Sequence, residues 1–302
     1  MTGTPPPVRR RLLGSALREY RESLGYNLEE AARILDCDRS KVSRIETGER
    51  GIREEELREL LRQYGVPAAE REALLAVAHR GRERGWWLDY RDVLSAEAQD
   101  YLTLEMAATE ILAYEVNQVP DLLQTADYMR AVAAADARYT SSEQRAHAME
   151  VKLNRQRIVL AGRAPGIDVV IAEGALRQTV GPPRLMREQL GRLADLAETG
   201  FASGLPDTDR PEQDRSRVSV RVLPFAAGAQ AAAGYGSMTI LRFAETPEIG
   251  VIHLPALSGG ISLQGREEVA RYLRLFVQLR SATLSPSRSA HLIRAIVRSY
   301  NR

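Results

Sequence analysis

The sequence predicts an all-α head of five helices followed by an α+β domain, and three observations carry that expectation. From Val8 to about Arg84 the chain reads as short amphipathic stretches, each closed near a Gly, Asp or Pro. Beyond them, helical stretches are interleaved with β-like runs, in one of which Val218, Val220 and Val222 alternate with polar neighbours. At 302 residues and 44% hydrophobic content, the chain can bury the cores of two domains. The division falls at 1–84 and 85–302.

The head's five stretches are RRLLGSALREYRESLG, LEEAARIL, RSKVSRIETG, EEELRELLRQYG and AAEREALLAVAHRGRER. Helical periodicity lapses at RGWWLDYRDVLS, where aromatics crowd together. Trp86 and Trp87 there read as a hydrophobic hinge docking the two domains, since a base-stacking platform would need interleaved basic residues on a β-face. Helices are expected around 96–112, 125–135, 141–161 and 183–198, and two more close the chain at 266–282 and 286–300. The β-like runs are IDVVIAE, VSVRVLPF, SMTILRF, GVIHLPA and GISLQ. The polar stretch 200–217 reads as a mobile loop. GAQAAAGYGSM reads as a flexible hairpin loop: a β-like run comes after its glycines in place of a helix, so it forms neither a dinucleotide fingerprint nor a P-loop.

Composition narrows the function classes. The formal net charge is only +2, so any contact with nucleic acid must come from a local basic patch. One cysteine excludes an internal disulfide framework and fits a reducing compartment. No apolar run approaches a membrane span, and the start MTGTPPPVRRR lacks the apolar core of a signal peptide, so the expected location is the cytoplasm. His79, His147, His253 and His291 lie far apart and form no HExxH, and no GxSxG is present. The chain is therefore expected to have no catalytic residues, no metal and no cofactor; Glu173 with His253 is the one pairing weighed against this. Cys37 reads as a small buried hydrophobe in preference to an oxidation sensor.

The basic patch lies in NLEEAARILDCDRSKVSRIETG. Asn27, with Glu30 three residues on, makes a capping box, and Asp38 can cap the next helix. Two short helices then start at Leu28 and Arg39, joined by the short turn of a helix-turn-helix unit. Ala32 permits close approach of the axes, while Ala31, Leu35, Val42 and Ile45 form the seam. With Val42 and Ile45 inward, Arg39, Ser40, Lys41, Ser43 and Arg44 fall on the open face, the presentation that enters a major groove. Arg9, Arg10 and Arg11 read either as a phosphate-touching arm or as a solvated helix start.

The stretch from Val8 to Val66, through Ala32, Val42, Ser43, Arg44, Ile45, Glu46 and Gly48, resembles the XRE, or phage-repressor-like, helix-turn-helix family. The resemblance implies a sequence-specific DNA-binding transcriptional regulator. It makes Arg39, Ser40, Lys41, Ser43 and Arg44 the base readers and assigns phosphates to Arg50 and Arg53. The turn position where the family commonly has Gly is Asp36, a residue type that tolerates positive φ; Leu28 stands where a phosphate-touching Gln is often found. One recognition helix reads few base pairs, so a homodimer on a pseudo-palindromic stretch of double-stranded DNA is expected.

RGWWLDY, YEVNQVPDLLQTADYMRAV and VRVLPFAAGAQAAAGYGSMTILRF resemble the domain found behind a helix-turn-helix in many actinobacterial regulators. That resemblance implies an antitoxin-like domain with a small acidic partner protein, which either controls the head through a partner or ligand or itself neutralises a small toxin-like partner, DNA binding then serving autoregulation. Val119 and Pro120 are expected to end a β-like run, with Asp121 or Thr125 capping the next helix and Leu122, Leu123, Tyr128 and Met129 forming an apolar face. Core packing accounts for this segment better than a ligand site.

Overall fold

The computed structural model describes residues 8–80, 86–161, 166–200, 217–228, 234–243, 250–256 and 260–300. A helical head precedes an α+β domain built on a mixed six-stranded sheet.

The head comprises α1 (Val8–Ser23), α2 (Leu28–Ile34), α3 (Arg39–Glu46), α4 (Glu54–Gln63) and α5 (Ala68–Arg80). The caps form as the residue types require. Asn27 accepts from the Glu30 N–H while Glu30 reaches back to the Asn27 N–H, and Asp38 accepts from the Lys41 N–H at 2.8 Å. Asp36 turns the chain between α2 and α3 with φ of 46°. Leu12, Leu13, Leu17, Ala31, Val42, Ile45, Leu57 and Leu61 are buried together beneath these helices.

The second region contains α6 (Ala96–Ala107), β1 (Glu110–Glu115), α7 (Ala126–Ala135), α8 (Ser142–Ala161), β2 (Gly166–Ala172), α9 (Glu173–Arg177), α10 (Pro183–Thr199), β3 (Val218–Leu223), β4 (Met238–Arg242), β5 (Gly250–Leu254), β6 (Ile261–Gln264), α11 (Arg266–Ser281) and α12 (Pro286–Ser299). The strand order is β3-β2-β1-β4-β5-β6. The first three are parallel, and β4, β5 and β6 are each antiparallel to the neighbour before them. Alternate residues of β1 and β2 feed two cores. Ile111, Ala113, Ile167 and Val169 face one way, with α10 and α12 in the same core; Leu112, Tyr114 and Val170 face the other, beside Val269, Phe276 and Leu279 of α11. Burial on both faces is why the stretch after Asp168, VVIA, is an unbroken apolar run.

Two local expectations are corrected. The helix expected over 96–112 stops at Ala107, and EILAYE becomes β1, a strand in the interior of the sheet. A short apolar run buried on both faces has no periodicity that separates helix from strand. Val119 ends no strand; it is fully buried in an irregular link to a 3-10 turn at Asp121–Leu123, and Thr125 is the residue that caps α7. The expected loop over 200–217 lies, at 201–216, outside the described residues, though its flanks meet where the Val218 N–H donates to the Gly200 carbonyl at 2.9 Å. The hairpin-loop reading of GAQAAAGYGSM likewise falls, at 229–233, outside them.

Candidate DNA-reading helix and an open cavity

Three features set the tilt of α3. Gly14 of α1 lies so close to its last turn that a Cβ would come within 2.5 Å of the carbonyl oxygens of Ile45 and Glu46. Gly48, with φ of 78°, closes the turn beyond against the backbone of Arg11. Between them Arg21 clamps Glu46 through Nε at 2.7 Å and Nη2 at 2.8 Å, and its Nη1 donates to the Tyr26 carbonyl. The hydrogen bond it donates to Glu46 raises the Arg21 pKa against the opposing effect of burial.

The open face then carries Arg39, Ser40 and Arg44, all exposed, with Ser43 half-buried beside them. Arg39 touches Glu29 at 3.2 Å, and Arg44 donates back to the Ser40 carbonyl. Arg50 and Arg53 are exposed beyond the helix. Lys41 departs from the expected arrangement. Its side chain is only 15% exposed, and its ammonium lies 2.7 Å from Glu56 of α4. It faces α4 because position 41 lies between the buried Val42 side and the open side, where the acidic start of α4 offers a partner. Glu56 also receives Arg53, and these hydrogen bonds, Arg53's foremost, hold its carboxyl down at about 2. Cys37 is half-buried against the core, and burial raises its thiol pKa, consistent with a small hydrophobe.

The opposite side of α1 meets the second region. The Val8 N–H donates to Asp100 of α6 at 2.9 Å, and Arg11 reaches the Ser262 carbonyl of β6 at 3.5 Å. Arg266, at the start of α11, pairs with Glu19 and Glu70 and lies over the ring of Tyr20. Residues 9–11 are thus the half-buried first turn of α1, with Arg11 committed to the second region. Trp86 and Trp87 do not form the expected hinge. They stack edge-on with each other, and Trp86 with Tyr90, in a cluster with Leu102 of α6 and Val151 of α8. The aromatics pack on α6 and α8 within the second region.

That cluster, through Val93, Leu94, Leu102 and Val151, also backs a cavity of about 510 Å³ between the sheet and α6 and α8. One cross-strand row, Val169, Ala113, Thr239 and His253, forms the sheet side. At the other end polar groups converge. Arg155 of α8 grips buried Glu105 at 2.7 Å, Lys152 pairs with Asp121 at 3.2 Å, and Arg138 with Asp136 at 2.6 Å. Burial works to neutralise Asp121, but Lys152 and Arg155 overcome it and its pKa falls. Burial lowers the pKa of His253 to about 4, so it is neutral at physiological pH, its ring 4.4 Å from that of Tyr101. Glu115 behaves oppositely: burial pushes its carboxyl up to about 7, with only the Ser237 hydroxyl and the charge of Arg155 opposing.

The segment YEVNQVPDLLQTADYM therefore does two jobs. Leu122, Leu123, Tyr128 and Met129 are core, as expected, and Tyr114 and Val119 join them, while Glu115, Asn117, Gln118 and Asp121 line the cavity. A sequence signal for this existed in α8: Ala148, Val151, Lys152 and Arg155 share one helical face, so two cations sit among residues destined for burial. Glu173 is engaged by Arg177 and the Phe225 N–H, whereas His253 belongs to the cavity, so each has its own partners. Among the described residues no His, Cys, Asp and Glu group is arranged to hold a metal, and no helix is long and apolar enough to cross a membrane.

Over residues 98–203 and 212–295 the chain matches the model of a domain of unknown function, DUF5753, and over 12–74 that of a helix-turn-helix domain. The second match points to a DNA-binding regulator. No curated protein and no solved structure matches the chain.

Proposed function

The chain belongs to the DUF5753 family, whose domain covers more than half of it behind a helix-turn-helix head, and on that premise we propose a sequence-specific transcriptional regulator of the XRE, phage-repressor-like type, controlled through an effector in the cavity. In this reading Arg39, Ser40, Ser43 and Arg44 meet base edges and Arg50 and Arg53 meet phosphates, while Lys41 fixes α3 on α4. Two copies on an inverted repeat, about one helical turn apart, supply the affinity that one short helix lacks.

The observation that carries the regulatory half is a shared wall. Ala98, Tyr101 and Leu102 of α6 line the cavity, and the same helix packs on α1 and α5 and receives the Val8 N–H on Asp100. On the sheet side, His253 lines the cavity and is the register partner of Ser262, whose carbonyl accepts from Arg11. An occupant that displaces Tyr101 or His253 acts on elements that carry the head, so differential binding to two head positions becomes control of DNA affinity.

Selection of the full chain on a randomised duplex pool tests the reading. A pseudo-palindromic site is expected, with Arg44→Ala costing about 1–3 kcal/mol and relaxing one base position, and Arg53→Ala weakening all duplexes alike. Equal affinity for every duplex would overturn it.

A further inference from the structure

The cavity's charges do not balance, and the imbalance has a location. Its three cations are all paired: Arg138 with Asp136, Lys152 with Asp121, and Arg155 with Glu105 and, at 3.6 Å, with Asp121 as well. Glu115 lines the same space, at the end of β1, and forms no ion pair among the described residues. Its carboxyl is met by the Ser237 hydroxyl. Around it, Leu94, Leu102, Ile111, Val151 and Val169 supply an apolar wall, and the volume of about 510 Å³ is that of a site for a molecule of drug-like size.

Resting on the reading of this cavity as the effector site, we propose that its ligand is an organic amine with an apolar body, its ammonium seated on the Glu115 carboxylate. A ligand carboxylate would meet Glu115 and Asp121 with every cavity cation already engaged, so it would have to break an ion pair to gain one. A neutral ligand would leave the half-buried Glu115 carboxyl to keep its proton and would gain no charge pairing from it. An ammonium supplies the missing charge and donates to an acid that already has its place in the wall. The raised Glu115 pKa agrees with the geometry, since an acid retains its proton where no cation accompanies it.

Three fluorescent probes of similar body test this on the full chain: dansylcadaverine, which carries an ammonium, the neutral N-butyl dansylamide, and dansylglycine, which carries a carboxylate. Dansylcadaverine is expected to bind about tenfold or more tighter than the other two, with that preference lost in Glu115→Gln while the neutral probe is unaffected. Ala98→Phe, which fills the cavity from α6, should abolish binding of all three. A preference for the neutral or acidic probe, or a preference for the amine that survives Glu115→Gln, overturns the amine assignment and leaves the effector cavity standing. Failure of every probe to bind, or binding that persists in a folded Ala98→Phe variant, overturns the effector cavity itself and the amine with it.

Discussion

Replacing Arg21 by Met should cost the head about 3–5 kcal/mol, because it strands a buried carboxylate. The Arg21 and Glu46 side chains are 9% and 6% exposed, and their contact is two-pronged at 2.7 and 2.8 Å. Deleting the guanidinium also frees the Tyr26 carbonyl it holds. Glu46→Leu alone should cost less, because Arg21 keeps Glu22 at 3.4 Å and the Tyr26 carbonyl. The double variant Arg21→Met/Glu46→Leu removes both charges and puts apolar groups in their place, so it should lose far less than the two singles together, leaving a coupling of about 2 kcal/mol or more. The measurement is hydrogen exchange of the α3 backbone amides in the full chain. It reads the head directly, whereas tryptophan fluorescence reports Trp86 and Trp87 packed on α6 and α8. Singles that add to the double within about 0.5 kcal/mol would refute the reasoning.

Gly14→Ala should destabilise the head by roughly 1 kcal/mol in net terms, since overpacking two backbone carbonyls costs about 1–3 kcal/mol and helix propensity returns at most about 1; a raised melting temperature would contradict this. Glu115→Gln should stabilise the protein at pH 8. A carboxyl with its folded pKa raised from 4.5 to about 7 confers stability that is complete below pH 4.5 and lost as pH rises through 7, and a variant no more stable than wild type at pH 8 would count against that. Glu56 has the opposite sign: depressed from 4.5 to about 2, it contributes stability above pH 4.5 that disappears as pH falls towards 2. Acid titration of Glu56→Gln should accordingly show a flatter loss over that window than wild type.

The sequence determined by itself those features that neighbours along the chain decide. The capping box at Asn27 and Glu30, the Asp38 cap, the positive φ at Asp36 and the inward Val42 and Ile45 all lie within a few residues of their causes. The closing helices and five of the six strands were legible for the same reason. Tertiary structure decided the rest. EILAYE is a strand because β2 and β4 flank it and both its faces are covered, and nothing within the six residues records that. Lys41 left the open face because Glu56, fifteen residues on, was close enough to take it. The cavity draws Glu115, Asp121, Lys152, Arg155 and His253 from two helical elements and two strands, and apart from the Lys152 and Arg155 face of α8 no spacing rule links them. Whether a charge in such a place is paired or left over depends on the few ångströms between side chains that the fold alone brings together, and that is where Glu115 acquired its distinction.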